Sequence, residues 1–145
     1  MTRLGVFGGT FDPPHLGHLI LAETACDVLG LATVLFVLAA DPPHKRELSL
    51  TAVEHRLAML HLAIAENPRF AASDVDITRP GPHYTADTLQ ILQERHPDAV
   101  ATRRRVVGHH VVELRDSSGA RSKALNVNLA QGENQHIVLD ISVRR

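Results

Sequence analysis

The chain has 145 residues, 44% apolar and 21% charged, with a net charge of −1, one cysteine and no tryptophan. That length suits one domain, 1–145, with a core of two or three layers, and the apolar and charged shares are those of an ordinary globular protein. The lone Cys26 excludes an internal disulfide framework, the longest apolar runs (such as 33–40) are far too short to span a bilayer, and no signal-peptide pattern precedes Arg3, so a cytoplasmic protein is expected.

The first element is a short apolar strand built on Leu4, Val6 and Phe7, which breaks at Gly8-Gly9. The chain then runs through Thr10, Phe11 and Asp12 into a Pro-Pro turn, and Leu16-Gly17-His18 opens a helical pattern over 17–30. A strand that ends in a glycine turn below a helix N-terminus is a place for an anion, because free backbone N–H groups and the positive end of the helix dipole point into it. His15 and His18 are three residues apart, so both imidazoles are predicted on one side of the helix start. Neither the Walker spacing nor G-x-G-x-x-G is present. With the chemistry set aside, the same stretch reads as a tight turn with two surface histidines. No third and fourth ligand stands near them at a zinc spacing, so no metal site is expected.

Leu21, Ala25, Val28 and Leu29 recur at helical spacing, and Gly30 sits where a C-terminal cap belongs. Residues 33–38 are a continuous apolar run rich in β-branched residues, the pattern of a buried parallel strand. A polar loop over 39–50 contains Pro42-Pro43-His44-Lys45, and Thr51 with Glu54 predicts a capping box for the next helix. Val53, Leu57, Leu60 and Ile64 form its apolar stripe, and Asn67-Pro68 stops it. Residues 70–78 read as a strand with Val75 and Ile77 on a drier face than Asp74 and Asp76. After the loop Arg79-Pro80-Gly81-Pro82, a third helix is predicted over 84–95, with Thr85 as its cap and Pro97 ending it.

Up to residue 98 the order is β-α-β-α-β-α, which argues for a parallel sheet flanked by helices with right-handed crossovers. Ligands of such sheets sit at the carboxyl ends of the strands, where the 8–18 turn falls. Beyond residue 99 the pattern changes. Val106-Val107-Gly108 and the apolar run 111–114 precede a turn signal at 116–119, and apolar residues alternate at 125–129 and 137–143. Taken alone, this predicts three strands and no helix. Charge shifts as well: residues 1–100 hold seven Lys/Arg against twelve Asp/Glu, residues 101–145 eight against four. A basic tail suggests nucleic acid, but aromatic stacking faces are absent after Tyr84, so that partner is not expected.

GGTFDPPHLGH at 8–18 resembles the nucleotide-binding signature of the nucleotidyltransferases with a Rossmann-like fold, whose T/H-x-G-H element grips the phosphates of ATP. PPHK at 42–45 is similar to the basic loop after the second strand of the nicotinate-nucleotide adenylyltransferases. RPGPHYTADTL at 79–89 resembles their R-x-G-x-S-Y-T-x-D-T-L segment, with His83 where serine is usual. The resemblance covers residues 1–98. It implies adenylyl transfer from ATP to nicotinate mononucleotide in NAD biosynthesis, with Mg²⁺ accompanying ATP. It further implies that Gly8, Gly9, Thr10, Phe11, His15 and His18 bind ATP, that His15 and His18 are catalytic, and that Lys45, Tyr84 and Thr85 bind the mononucleotide.

The last third departs from the family. Val106-Val107-Gly108-His109-His110 stands where a Gly-Ala-Asp segment is usual, without the acid, and a tryptophan common downstream is missing. Ile141-Ser142-Val143-Arg144 is weakly similar to the late I-S-S-T-x-I-R element, which implies phosphate contacts for Ser142 and Arg144. A working enzyme of this family needs 106–108 as a fourth strand beside the first, and 137–143 as a fifth. Two other readings stay open: a non-catalytic or weakly nucleotide-binding remnant with an altered C-terminal third, and a pantetheine-phosphate adenylyltransferase-like enzyme, which shares only the first motif. His109-His110 is read as a pair of exposed histidines, no membrane partner is expected, and homo-oligomerisation is left open.

Overall fold

The structure, a computed structural model, describes residues 2–41, 49–96, 99–104, 108–115, 121–129 and 138–143. Its elements follow the order β1 (Thr2–Gly9), α1 (Leu16–Leu29), β2 (Thr33–Leu38), α2 (Val53–Ile64), β3 (Phe70–Ser73), α3 (Thr85–Arg95), β4 (Ala99–Arg104), β5 (Gly108–Arg115), β6 (Arg121–Leu129) and β7 (Val138–Val143). A five-stranded sheet has the order β3-β2-β1-β7-β4, and β5 pairs with β6 in a separate two-stranded sheet. The first strand is central and pairs in parallel with β2, as the alternating pattern predicts, from Leu4↔Thr33 to Gly9↔Leu38. β2 in turn pairs in parallel with β3.

Side chains alternate across these strands, and β1 and β2 bury apolar side chains on both faces. Phe7, Val34, Phe36 and Leu38 pack under Leu21, Ala22 and Ala25 of α1 and Leu60 and Ile64 of α2. Val6 and Val37 face the other way, with Leu92 of α3 and the partly buried Leu89. This is the three-layer α/β arrangement that the alternating pattern predicts. Gly30 adopts the left-handed conformation (φ 63°) that a residue without a Cβ takes at no cost, and caps α1 as expected.

Three local expectations fail. The Thr51–Glu54 capping box does not form: Ala52 is the N-cap of α2 and makes no side-chain cap bond, because the amide of Thr51 donates to Asp12 Oδ2 instead, at 2.7 Å. Thr85 opens α3 as its first residue, and the cap position falls to Tyr84. The third strand stops at Ser73, since the carbonyl of Asp74 accepts the amides of Ile77 (2.9 Å) and Thr78 (3.1 Å) and turns the chain. Val75 and Asp76 are therefore both buried, contrary to the alternation read from the sequence.

The tail forms strands and no helix among its described residues; β5, β6 and β7 fall on the stretches read as strands, β4 is additional, and what differs is how they pair. β7 lies beside β1 and runs antiparallel to it, with Ser142 opposite Arg3 and Phe7 opposite Val138. β4 pairs antiparallel on the far side of β7. Gly108, expected in a fourth strand beside the first, belongs to β5 and pairs with Leu129 of β6. Val106 and Val107 lie outside the described residues.

Candidate nucleotide-binding site

The turn after β1 is built around Phe11. Its φ of 46° is left-handed, which costs a residue with a Cβ roughly 1–2 kcal/mol. Aromatic packing offsets this: the buried Phe11 ring meets Phe7 edge-on at 5.6 Å and lies 5.6 Å from Phe36 and 5.1 Å from the ring of His18. A Cβ on Gly9 would stand only 3.0 Å from the same ring, so the glycine makes room for it. Beside Gly8, itself exposed, no atom of the described residues lies within 4 Å of where a Cβ would point. The end of the central strand thus carries a surface open to a ligand.

His15 is the N-cap of α1, in extended conformation, and its backbone N–H donates to Nδ1 of His18 at 3.1 Å. An Nδ1 that accepts is unprotonated, so the ring proton of neutral His18 sits on Nε2 as a donor. The two imidazoles lie 3.8 Å apart between centroids, inclined by 31°. His15 is exposed, whereas His18 is only 8% exposed and packs beside Phe7 and Phe11. His18 is therefore also a core support, which the reading of both histidines as open phosphate contacts missed. Gly17 lets the pair form, since a Cβ there would come within 3.0 Å of His15 Nδ1.

Arg56 holds the walls of this site together. It lies in α2, is 1% exposed, and among the described residues its guanidinium donates to four backbone carbonyls. Nε reaches Thr51 (2.7 Å), Nη1 reaches Thr10 (3.0 Å) and Ala39 (2.9 Å), and Nη2 reaches Ala40 (3.3 Å). The motif turn, the end of β2 and the start of α2 are thereby fixed to one another. Burial lowers the Arg56 pKa, and the nearby Asp12 and Glu54 carboxylates work against that shift. Hydrogen bonds from Thr51, with a smaller contribution from the Arg56 charge, hold the Asp12 carboxyl below the usual carboxylate range. Sequence reading passed over Arg56, although a signal was present: it falls between Val53 and Leu60 on the apolar stripe of its helix.

A second cluster organises the 79–88 segment. Asp76 accepts from Arg79 Nε (2.9 Å) and Nη2 (2.7 Å), and Thr88 Oγ1 donates to the same carboxylate at 2.8 Å. Next to it, Tyr84 is 50% exposed, and its ring is available to a ligand. Of Thr85 only the backbone is described, at the start of α3. Lys45 and Arg144 lie outside the described residues. Ser142 pairs with Arg3, six residues before Gly9, or about 20 Å along the strand at its usual rise. The register puts Ser142 at the end of β1 remote from the turn.

Among the described residues no group of three or more His, Cys, Asp or Glu is placed to hold a metal ion, and no helix is long and apolar enough to cross a membrane. Cys26 is buried in the core, which pushes its thiol up to about 11, so it is no nucleophile. A cavity of about 420 Å³ lies among Leu57 and His61 of α2, Ser73, Asp74, and Leu92 and Arg95 of α3. No residue predicted for the site lines it.

A glycine turn on a central strand that pairs in parallel with β2, leading into a histidine-capped helix, defines an α/β protein with the Rossmann-like nucleotidyltransferase fold. The chain belongs to the cytidylyltransferase-like family, whose profile matches residues 6–140. Among its relatives is a protein named probable nicotinate-nucleotide adenylyltransferase in Thermomicrobium roseum, 56% identical over 99 residues, or 68% of this chain and 46% of the relative. Proteins of the same name in Symbiobacterium thermophilum (49% over 98 residues, 68% and 47% covered) and Thermus thermophilus (52% over 95 residues, 66% and 50%) are also similar. The chain spans about half the length of these relatives. In fold it is similar to the Plasmodium falciparum nicotinic acid mononucleotide adenylyltransferase complexed with NaAD, at a TM-score of 0.52 and 22% identity over 66% of this chain and 47% of that one.

Proposed function

We propose that this chain carries the nucleotide-binding half of an adenylyl transfer from ATP to nicotinate mononucleotide, giving deamido-NAD and pyrophosphate. The observation that carries this reading is the stacked His15–His18 pair at the start of α1, beside the open face of Gly8. In the reaction a phosphate oxygen of the mononucleotide attacks the α-phosphorus of ATP, a new P–O bond forms, and the bond to the β-phosphate breaks. Such a transfer needs no covalent protein nucleophile, only two anions held in line and their growing charge offset. His15, His18 and the amides of the 8–11 turn would grip the triphosphate. Lys45, Tyr84 and Thr85 would hold the mononucleotide. Relatives bearing the nicotinate-nucleotide name support this substrate over pantetheine phosphate.

Mg²⁺ is proposed as the ion that accompanies ATP and offsets phosphate charge. Such an ion keeps most of its waters and rides on phosphates, so it fits a site without an acidic cage. Asp12, the one carboxylate of the 8–18 turn and ionised below the usual range, is the residue that would serve it. A single domain over 1–145 in the cytoplasm completes the proposal.

A second reading, a remnant that binds nucleotide without turnover, is favoured by the antiparallel β7 beside β1, with Ser142 turned to the wrong end of the strand. Pyrophosphate release with ATP, Mg²⁺ and nicotinate mononucleotide decides between them. Turnover supports the first reading, and ATP binding without pyrophosphate supports the second.

A further inference from the structure

Residues 39–41, just past the end of β2, are gripped from two sides. Arg56 takes the carbonyls of Ala39 and Ala40. His83 takes Asp41: the backbone N–H of Asp41 donates to His83 Nδ1 at 2.9 Å, and the N–H of His83 donates to the Asp41 carbonyl at 3.1 Å. Because Nδ1 accepts, the ring proton sits on Nε2, where it donates to the carbonyl of Arg79 at 3.1 Å. Both ring nitrogens are thus spent inside the protein, and the residue is only 8% exposed. A histidine in this state is neither a phosphate ligand nor a general acid. Gly81 completes the joint, since a Cβ there would overlap the Asp41 side chain.

The next residue is the half-exposed Tyr84. We propose that His83 is a positioning residue for the mononucleotide half of the site, stapling the Tyr84 backbone to the segment that Arg56 ties to the ATP turn. The inference rests on the function proposed above. Serine, usual at this place in the resembling family, has one short hydroxyl. Histidine carries two nitrogens far enough apart to join Asp41 and Arg79 at once, and it binds the two loops more firmly.

Three substitutions test this. His83→Asn sets a carbonyl oxygen where Nδ1 stands and keeps the Asp41 bond, His83→Gln keeps the reach toward Arg79, and His83→Ala keeps neither. His83→Ala is expected to raise KM for the mononucleotide about tenfold, the scale of one or two lost hydrogen bonds, with kcat and the KM for ATP within about twofold. His83→Asn restores most of the loss. Amide hydrogen exchange in the absence of substrate provides a readout independent of activity: the Asp41 amide exchanges faster in His83→Ala and is protected again in His83→Asn. Unchanged Asp41 exchange in His83→Ala, or an equal rise in both KM values, overturns the proposal. A wild-type chain without turnover overturns the proposed function instead, and the staple is then decided by exchange alone.

Discussion

The backbone N–H of His15 donates to Nδ1 of His18 while the two imidazoles stack 3.8 Å apart, so one histidine caps the helix for the other. The bond fixes the His18 tautomer, leaves its Nε2 a donor, and holds both rings at the positive end of α1. Because His18 also packs against Phe7 and Phe11, the two residues differ in what their removal costs.

His15→Ala is expected to leave the melting temperature nearly unchanged and to abolish most turnover. His18→Ala should lose about 1–2 kcal/mol of stability as well, from the missing cap and packing. His18→Asn separates the two effects. Its side-chain oxygen can accept the His15 amide, so the cap's share of the stability returns, but its short amide N–H₂ does not reach the place of Nε2–H, so turnover does not. Thermal melts beside pyrophosphate release measure both. Recovery of turnover in His18→Asn would show that Nε2 has no part in the chemistry.

Gly17→Ala sets helix propensity against site geometry. In a helix, alanine is favoured over glycine by up to about 1 kcal/mol. Here the added methyl would press on His15 Nδ1 at 3.0 Å and displace the ring. The variant should be as stable as the parent or more so, yet bind ATP more weakly. Calorimetric ATP titration with denaturant melts checks this, and unaltered ATP affinity would contradict the assigned place of His15.

Arg56→Ala removes donors from four carbonyls on three segments. At roughly 0.5–1.5 kcal/mol per hydrogen bond the loss should be about 2–6 kcal/mol, and Arg56→Lys should recover only part of it, since one ammonium cannot reproduce the fork. Urea unfolding gives the value. A loss below about 0.5 kcal/mol, the scale of a neutral surface change, would mean that the loops hold without it.

Acid should unfasten Asp12 from Thr51. A carboxyl whose folded pKa is depressed contributes stability that is fully present above its unfolded value and lost as pH falls through the folded one. The parent and Asp12→Asn should therefore differ in melting temperature at neutral pH and converge below pH 3.8, the ordinary value for aspartate. A difference that persists undiminished in acid would assign the role of Asp12 to shape instead of charge.

What the sequence determined by itself was local. An apolar run of 33–38 is a buried strand wherever it lies, Gly30 can end a helix because it has no Cβ, and GGTFDPPHLGH places its histidines three apart on one helix start. Those features need only neighbours along the chain. The tertiary structure decided everything that depends on a partner from elsewhere. Thr51 lost its capping role to an Asp12 brought up from 39 residues away, and 74–78 turned instead of extending. Arg56, on an apolar stripe, became tolerable because two distant segments, at Thr10 and at Ala39-Ala40, brought it carbonyls beside that of Thr51. The tail shows the same limit most plainly: alternating residues at 138–143 specify a strand, but not the direction in which it lies against β1. Antiparallel pairing sends Ser142 to the end of that strand away from the histidines, because register is set by the contacts of the whole sheet and not by the pattern of any one strand.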